Sequence, residues 1–218
     1  MRFKTKLLAT IAFCGVGFAL AGYSGYWSQN RLNNQLLDAV QHRQGMYTIH
    51  NLVREGANPN AAGWNEYDTA LFDAIHLGAV PTIQTLLANG SSMRPIGKAH
   101  ETPVFALACY QPMNAPNYPN LSVSDYTTLF RDFQHHGESI EERDALGYTP
   151  LMRAVWSGNP EATEALLKLG ADSHVVNNYH QTVWYWIGQC PDKQDKLRRL
   201  LLQRKVPLKQ TILPIRVQ

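Results

Sequence analysis

The chain has 218 residues, 17% of them charged, and a formal net charge of +3 at pH 7. Arg2, Lys4 and Lys6 supply that excess, so beyond residue 21 basic and acidic residues balance. Bulk charge therefore gives no support to a nucleic-acid partner, and the length suits one domain with a continuous core.

Residues 1–21 read as a targeting segment. A basic start leads into the apolar run LLATIAFCGVGFALA, and Ala19-Leu20-Ala21 has the small-x-small pattern that precedes a signal-peptidase cut. Cleavage after Ala21 is expected, and the short basic start points to bacterial export, hence the periplasm. The alternative is an uncleaved anchor in the inner membrane with the rest facing the periplasm, because the run is near the short limit for a span. Cys14 follows Phe13 inside the apolar run and does not suit lipid attachment. Residues 22–32 form a short aromatic leader.

Five helix-turn-helix units are expected to follow. The first, 33–60, carries Leu36, Leu37, Ala39 and Val40 on its first helix, a second helix from Met46 to Arg54, and an exit turn at Gly56-Ala57-Asn58. The second, 61–94, has Thr69, Leu71, Ala74 and Ile75 before Gly78, then Pro81, Ile83, Leu86 and Leu87. The third, 95–143, opens with Thr102-Pro103, a cap followed by a first-turn proline. Residues 111–124 then interrupt it with prolines, asparagines and no charge, which cannot continue a helix. Its second helix is expected to resume near Asp125 and end at His135-His136-Gly137. The fourth unit is 144–177, the fifth 178–206, and 207–218 form a tail. Lys196, Arg198, Arg199, Arg204 and Lys205 of the last helix are expected to face water, as a carboxy-terminal cap requires.

The stretch from Gly147 to Asn178 orders these units. Thr149-Pro150-Leu151, Ala154, Gly158, Leu166-Leu167 and Gly170-Ala171-Asp172 fall in a register that resembles one complete ankyrin repeat of about 33 residues. Thr69-Ala70-Leu71, Thr102-Pro103-Val104 and Thr182-Val183-Trp184 repeat its start, and Leu52 to Asn58 and Leu86 to Gly90 repeat its end. The resemblance implies an all-α repeat solenoid with β-turn fingers. It also implies that the fingers and the exposed side of the first helices form a concave recognition surface.

Carried onto this chain, the finger positions include Gly63, Trp64, Asn65, Glu66, Asp144, Leu146, Tyr148, Asn177, Asn178, Tyr179 and His180. Aromatic anchors commonly dominate interfaces, so Trp64, Tyr67, Tyr118 (in the insertion), Tyr148, Asn178, Tyr179 and His180 are the expected partner contacts. Trp156, Trp184, Tyr185 and Trp186 lie on first helices, the fifth unit's being the most aromatic, and some of these rings are expected in the core.

Catalytic motifs are missing from the sequence: it has no HExxH, GxSxG, phosphate-binding glycine loop or CxxC. Neither a cofactor nor a metal is expected. His135-His136, close to Glu138, Glu141, Glu142 and Asp144, suits a solvated helix end better than a metal site, since adjacent helical residues point about 100° apart. Cys109 and Cys190 fall on first helices two units apart, about 20 Å, and are expected as buried free thiols. The expected function is binding of one folded protein partner, as an immunity or accessory protein that caps a toxin or envelope enzyme. The alternatives are a periplasmic scaffold or oxidative-stress accessory, and an envelope enzyme using the insertion with His135 and His136.

Overall fold

The structure is a computed structural model, and it describes residues 29–61, 69–93, 102–111, 119–187 and 194–206. The expectations for the targeting segment, Gly63, Trp64, Asn65, Glu66, Tyr67, Tyr118, Cys190 and the tail lie outside these residues. Ten helices are described: α1 (29–41), α2 (Met46–Arg54), α3 (Ala70–His76), α4 (Val80–Ala88), α5 (Pro103–Cys109), α6 (Val123–His135), α7 (Pro150–Trp156), α8 (Pro160–Lys168), α9 (Val183–Ile187) and α10 (Gln194–Gln203).

They form two layers. The first helices α3, α5, α7 and α9 pack each on the next, and the second helices α2, α4, α6, α8 and α10 do the same behind them. α1 joins the first layer through Gln41 Nε2, which donates to Asp73 Oδ2 at 3.2 Å, and Arg43 Nη2, which donates to the Leu77 carbonyl at 2.8 Å. The core runs the length of the stack between the layers, from Leu36 and Ile49 through Leu107 and Phe130 to Ile187 and Leu201. This is the all-α solenoid, in which each pair buries its apolar side only against its neighbours.

The fourth pair shows how the local sequence sets the geometry. The Thr149 hydroxyl accepts from the Met152 N–H at 3.3 Å, and Pro150 occupies the first turn. Leu151, Met152, Ala154 and Val155 go inward. Gly158, at φ 67°, then turns the chain so that the Asn159 N–H reaches the Ala154 carbonyl at 2.9 Å. At the end of α8, Gly170 plays the same part at φ 91°. The positions equivalent to these two glycines hold Arg43 in the first pair and Lys205 in the last, both at positive φ.

Three local expectations are corrected. α1 begins by residue 29, so the leader does not extend to 32; Gln29 Nε2 already donates to the Gly56 carbonyl at 2.6 Å. α6 begins at Val123, two residues earlier than expected, so the insertion ends at Ser122 and not at 124. Ser122 and Asp125 form a capping box, with Asp125 N–H to Ser122 Oγ at 3.2 Å and Ser122 N–H to Asp125 Oδ2 at 2.8 Å. Cys109, expected to be buried, is only half-buried, because α5 ends beside it and the chain leaves the stack at Tyr110, φ −54°, ψ 125°.

The base of the insertion is fixed to both neighbouring pairs. The Tyr110 hydroxyl donates to the Pro119 carbonyl at 2.9 Å, and the ring lies over Gly78, where an added Cβ would stand 2.4 Å from Tyr110 Oη. Asn159 is buried and fully engaged. Its Oδ1 caps α8 by accepting from the Ala162 N–H at 2.9 Å. Its Nδ2 donates to the Tyr110 carbonyl at 2.8 Å and to the Tyr126 hydroxyl at 2.7 Å. Burial pushes the Tyr126 phenol well above its usual range, against the opposing hydrogen bond from Asn159, so Tyr126 stays neutral.

Candidate protein-binding surface

The two described fingers are built alike. In one, the Asp144 carboxylate accepts from the N–H groups of Leu146 and Tyr148, both at 2.9 Å, while the Gly147 N–H donates to the Asp144 carbonyl at 2.9 Å. In the next, the Asn177 side chain accepts from Tyr179 and Gln181, both at 2.9 Å, while the His180 N–H donates to the Asn177 carbonyl at 2.9 Å. Each is a turn organised by an Asx side chain. Asn177 is consequently 3% exposed and serves the turn, not a partner.

Equivalent tip positions hold Leu146 and Tyr179, 44% and 60% exposed. Asn178 is exposed, but its Nδ2 donates to the Ala145 carbonyl at 3.1 Å and its N–H to the Leu146 carbonyl at 3.0 Å. It therefore ties the fingers together. Gly147 makes this possible: at φ 78°, an added Cβ would stand 2.5 Å from Asn178 Oδ1. His180 holds the matching position of the following finger at φ 57° with an exposed side chain. That conformation costs a non-glycine residue about 1 kcal/mol.

Behind the tips, the outer sides of α7 and α9 carry an aromatic–arginine cluster. The Arg153 guanidinium lies 4.7 Å from the Tyr148 ring centre and 5.5 Å from that of Trp156, and is held by the Asp144 carboxylate. Tyr148 packs on Trp186 at 5.5 Å, and Trp186 meets Tyr185 edge-on at 4.8 Å. Trp156 and Tyr185 are 45% and 49% exposed. The expected contact Tyr148 is thus half-buried, under Arg153 and against Trp186. Burial raises its phenol pKa, opposed by the Arg153 charge.

The cluster is preorganised. Stacking and the ion pair fix the long Arg153 side chain before any partner arrives, which reduces the ordering cost of binding. Sequence reasoning did not single out Arg153, and it placed Trp156 among first-helix aromatics without separating core from surface. The signal was there: Leu151, Met152, Ala154 and Val155 make the inward face of α7, which leaves 153 and 156 outside.

His135 and His136 lie exposed at the end of α6, with His136 Nδ1 2.8 Å from the Asp132 carbonyl. Among the described residues, no group of three His, Cys, Asp or Glu side chains could hold a metal ion. Of the expected contacts, the structure brings Tyr148, Asn178, Tyr179 and His180 onto one surface.

The family model described as Ankyrin repeat matches residues 146–178. That span holds the finger tip Leu146, helices α7 and α8, and the turn reaching Asn178. Capped helix pairs in two layers, fingers at a repeat spacing, and this match lead to one assignment: residues 146–178 are an ankyrin repeat, set within a stack of similar helix pairs.

Proposed function

We propose that this chain is a non-catalytic protein-binding module of the bacterial periplasm, which caps one folded partner such as a toxin or an envelope enzyme. Ankyrin repeats are typically protein-interaction modules, and the observation that carries the reading is the preorganised surface of Leu146, Arg153, Trp156, Tyr179 and Tyr185. Its composition, aromatic and arginine anchors with few free charges, is that of an interface centre. The export pattern of residues 1–21 supports the periplasm, and a rigid two-layer stack suits a one-to-one cap on a folded surface.

The test is affinity capture of the tagged chain from periplasmic extract with its neighbouring genes expressed, followed by Kd measurement on the purified pair. A single stoichiometric partner is expected. Arg153→Ala and Trp156→Ala should each weaken it about thirtyfold, the value of a hot-spot side chain of about 2 kcal/mol. Many weakly held proteins would favour a scaffold. A partner whose affinity ignores both substitutions would refute this surface. Partner-independent hydrolytic activity lost in His136→Ala would refute the non-catalytic reading.

A further inference from the structure

α10 carries positive charge that the described part of the chain does not compensate. It buries Leu197 and Leu201 in the stack, while Arg198, Arg199 and Leu202 lie on its exposed side. Arg204 and Lys205 follow in the exposed turn that ends it. The acidic side chains of the neighbouring α8 are engaged by lysines: Glu161 by Lys196 at 2.5 Å and Glu164 by Lys168 at 2.9 Å. Among the described residues, no ion pair involves Arg198, Arg199, Arg204 or Lys205. Asp195 is the one acidic residue of α10, and Arg199 Nε donates to its backbone carbonyl at 3.2 Å.

Two further observations give this face a direction. Leu202, 49% exposed, sits among the cations. Lys205 stands at φ 55°, where the other second helices end in Gly56, Gly90, Gly137 and Gly170, so a cation occupies a corner that glycine would fill with less strain. The sequence that follows continues the same chemistry, with Lys209 and Arg216 among Leu208, Ile212, Leu213, Ile215 and Val217 and no acidic residue. Cations interleaved with apolar side chains match an anionic bilayer surface, where the cations meet lipid phosphates and the apolar groups enter the interface. An acidic protein would complement the charges but leave the apolar component unused.

We propose that the exposed face of α10 docks on an anionic lipid bilayer, with Arg198, Arg199, Arg204 and Lys205 on the headgroup phosphates and Leu202 in the interface. α10 belongs to the second-helix layer, so the finger surface on the first layer stays open to a protein partner. The inference is independent of that partner's identity.

The test is flotation of the full chain with phosphatidylcholine vesicles, with and without phosphatidylglycerol. Neutral vesicles measure what the apolar amino-terminal run contributes, and the paired substitutions below separate the α10 face from Arg2, Lys4 and Lys6. The expected result is an additional, salt-sensitive partitioning onto the anionic vesicles. Each basic residue at such a surface strengthens partitioning about fivefold, so Arg198→Gln with Arg199→Gln should reduce the anionic increment about 25-fold, while Arg198→Lys with Arg199→Lys retains it. Arg204→Gln with Lys205→Gly removes two charges while relieving strain, so loss of the increment there cannot be ascribed to unfolding. No anionic increment, or one that survives both neutralising pairs, overturns the proposal. Binding to soluble polyglutamate without an anionic-vesicle increment also overturns it and assigns the face to an acidic protein.

Discussion

Asn159→Ala removes three hydrogen bonds at one buried point. The α8 cap, Asn159 Oδ1 to the Ala162 N–H at 2.9 Å, is worth about 1 kcal/mol. Losing Nδ2 strips a strong donor from the Tyr110 carbonyl and from the Tyr126 hydroxyl, now at 2.8 and 2.7 Å. The remaining contact between those two groups is long, 3.5 Å, so each loses about 1 kcal/mol of buried hydrogen bonding. The expected destabilisation is therefore about 3 kcal/mol, read as a lower midpoint in urea unfolding followed by far-ultraviolet circular dichroism. Asn159→Asp keeps the size and the capping oxygen but sets a carboxylate against the Tyr110 carbonyl, so it should be at least as harmful as alanine. In a double-mutant cycle with Tyr126→Phe, the two substitutions should couple by about 1 kcal/mol. An Asn159→Ala protein within about 0.5 kcal/mol of the parent, or zero coupling, would refute the claim that this side chain anchors the insertion.

Other expectations follow from the fingers and the turn after α6. His180→Gly should stabilise the fold by about 1 kcal/mol in the same unfolding assay, since it relieves φ 57°, and should weaken the captured partner if the side chain is a contact. Gly147→Ala should have the opposite sign and cost more than about 1 kcal/mol, because φ is 78° and the Cβ would meet Asn178. Glu138 is raised from the usual 4.5 to about 7 by burial, then by the charge of Glu142 and by a hydrogen bond to it. A raised carboxyl binds its proton more tightly in the folded state, so its stabilisation is complete below about pH 4.5 and lost as pH rises through about 7. Solvent screening holds the effect to about 1 kcal/mol. Melting at pH 5 and pH 8 should differ less in Glu138→Gln than in the parent; an unchanged difference would exclude Glu138 as the cause.

Much of the stack is legible in the sequence because its determinants are local. Thr149-Pro150 and Asn159-Pro160 start helices, Gly158 and Gly170 end them, and the apolar positions between them have helical spacing. The same logic places Met46–Arg54, where the structure also finds a helix. Ser122-x-x-Asp125 was equally readable as a capping box, but the proline- and asparagine-rich run ahead of it extended the expected insertion two residues into the helix.

The candidate surface was only half legible. Sequence identifies finger positions, so it placed Tyr179 and His180 on a finger, but it gives each aromatic residue the same standing. Tertiary packing separates them. Trp186 of the next unit covers Tyr148, Arg153 is clamped between rings from both ends of α7, and Asn178 turns sideways to bind the preceding finger. The sequence by itself determined where the chain turns and which faces are apolar, because capping, glycine conformation and helical periodicity act within a few residues. Only the stacking of one unit on the next decided which side chains remain outside, because burial depends on neighbours a whole repeat away.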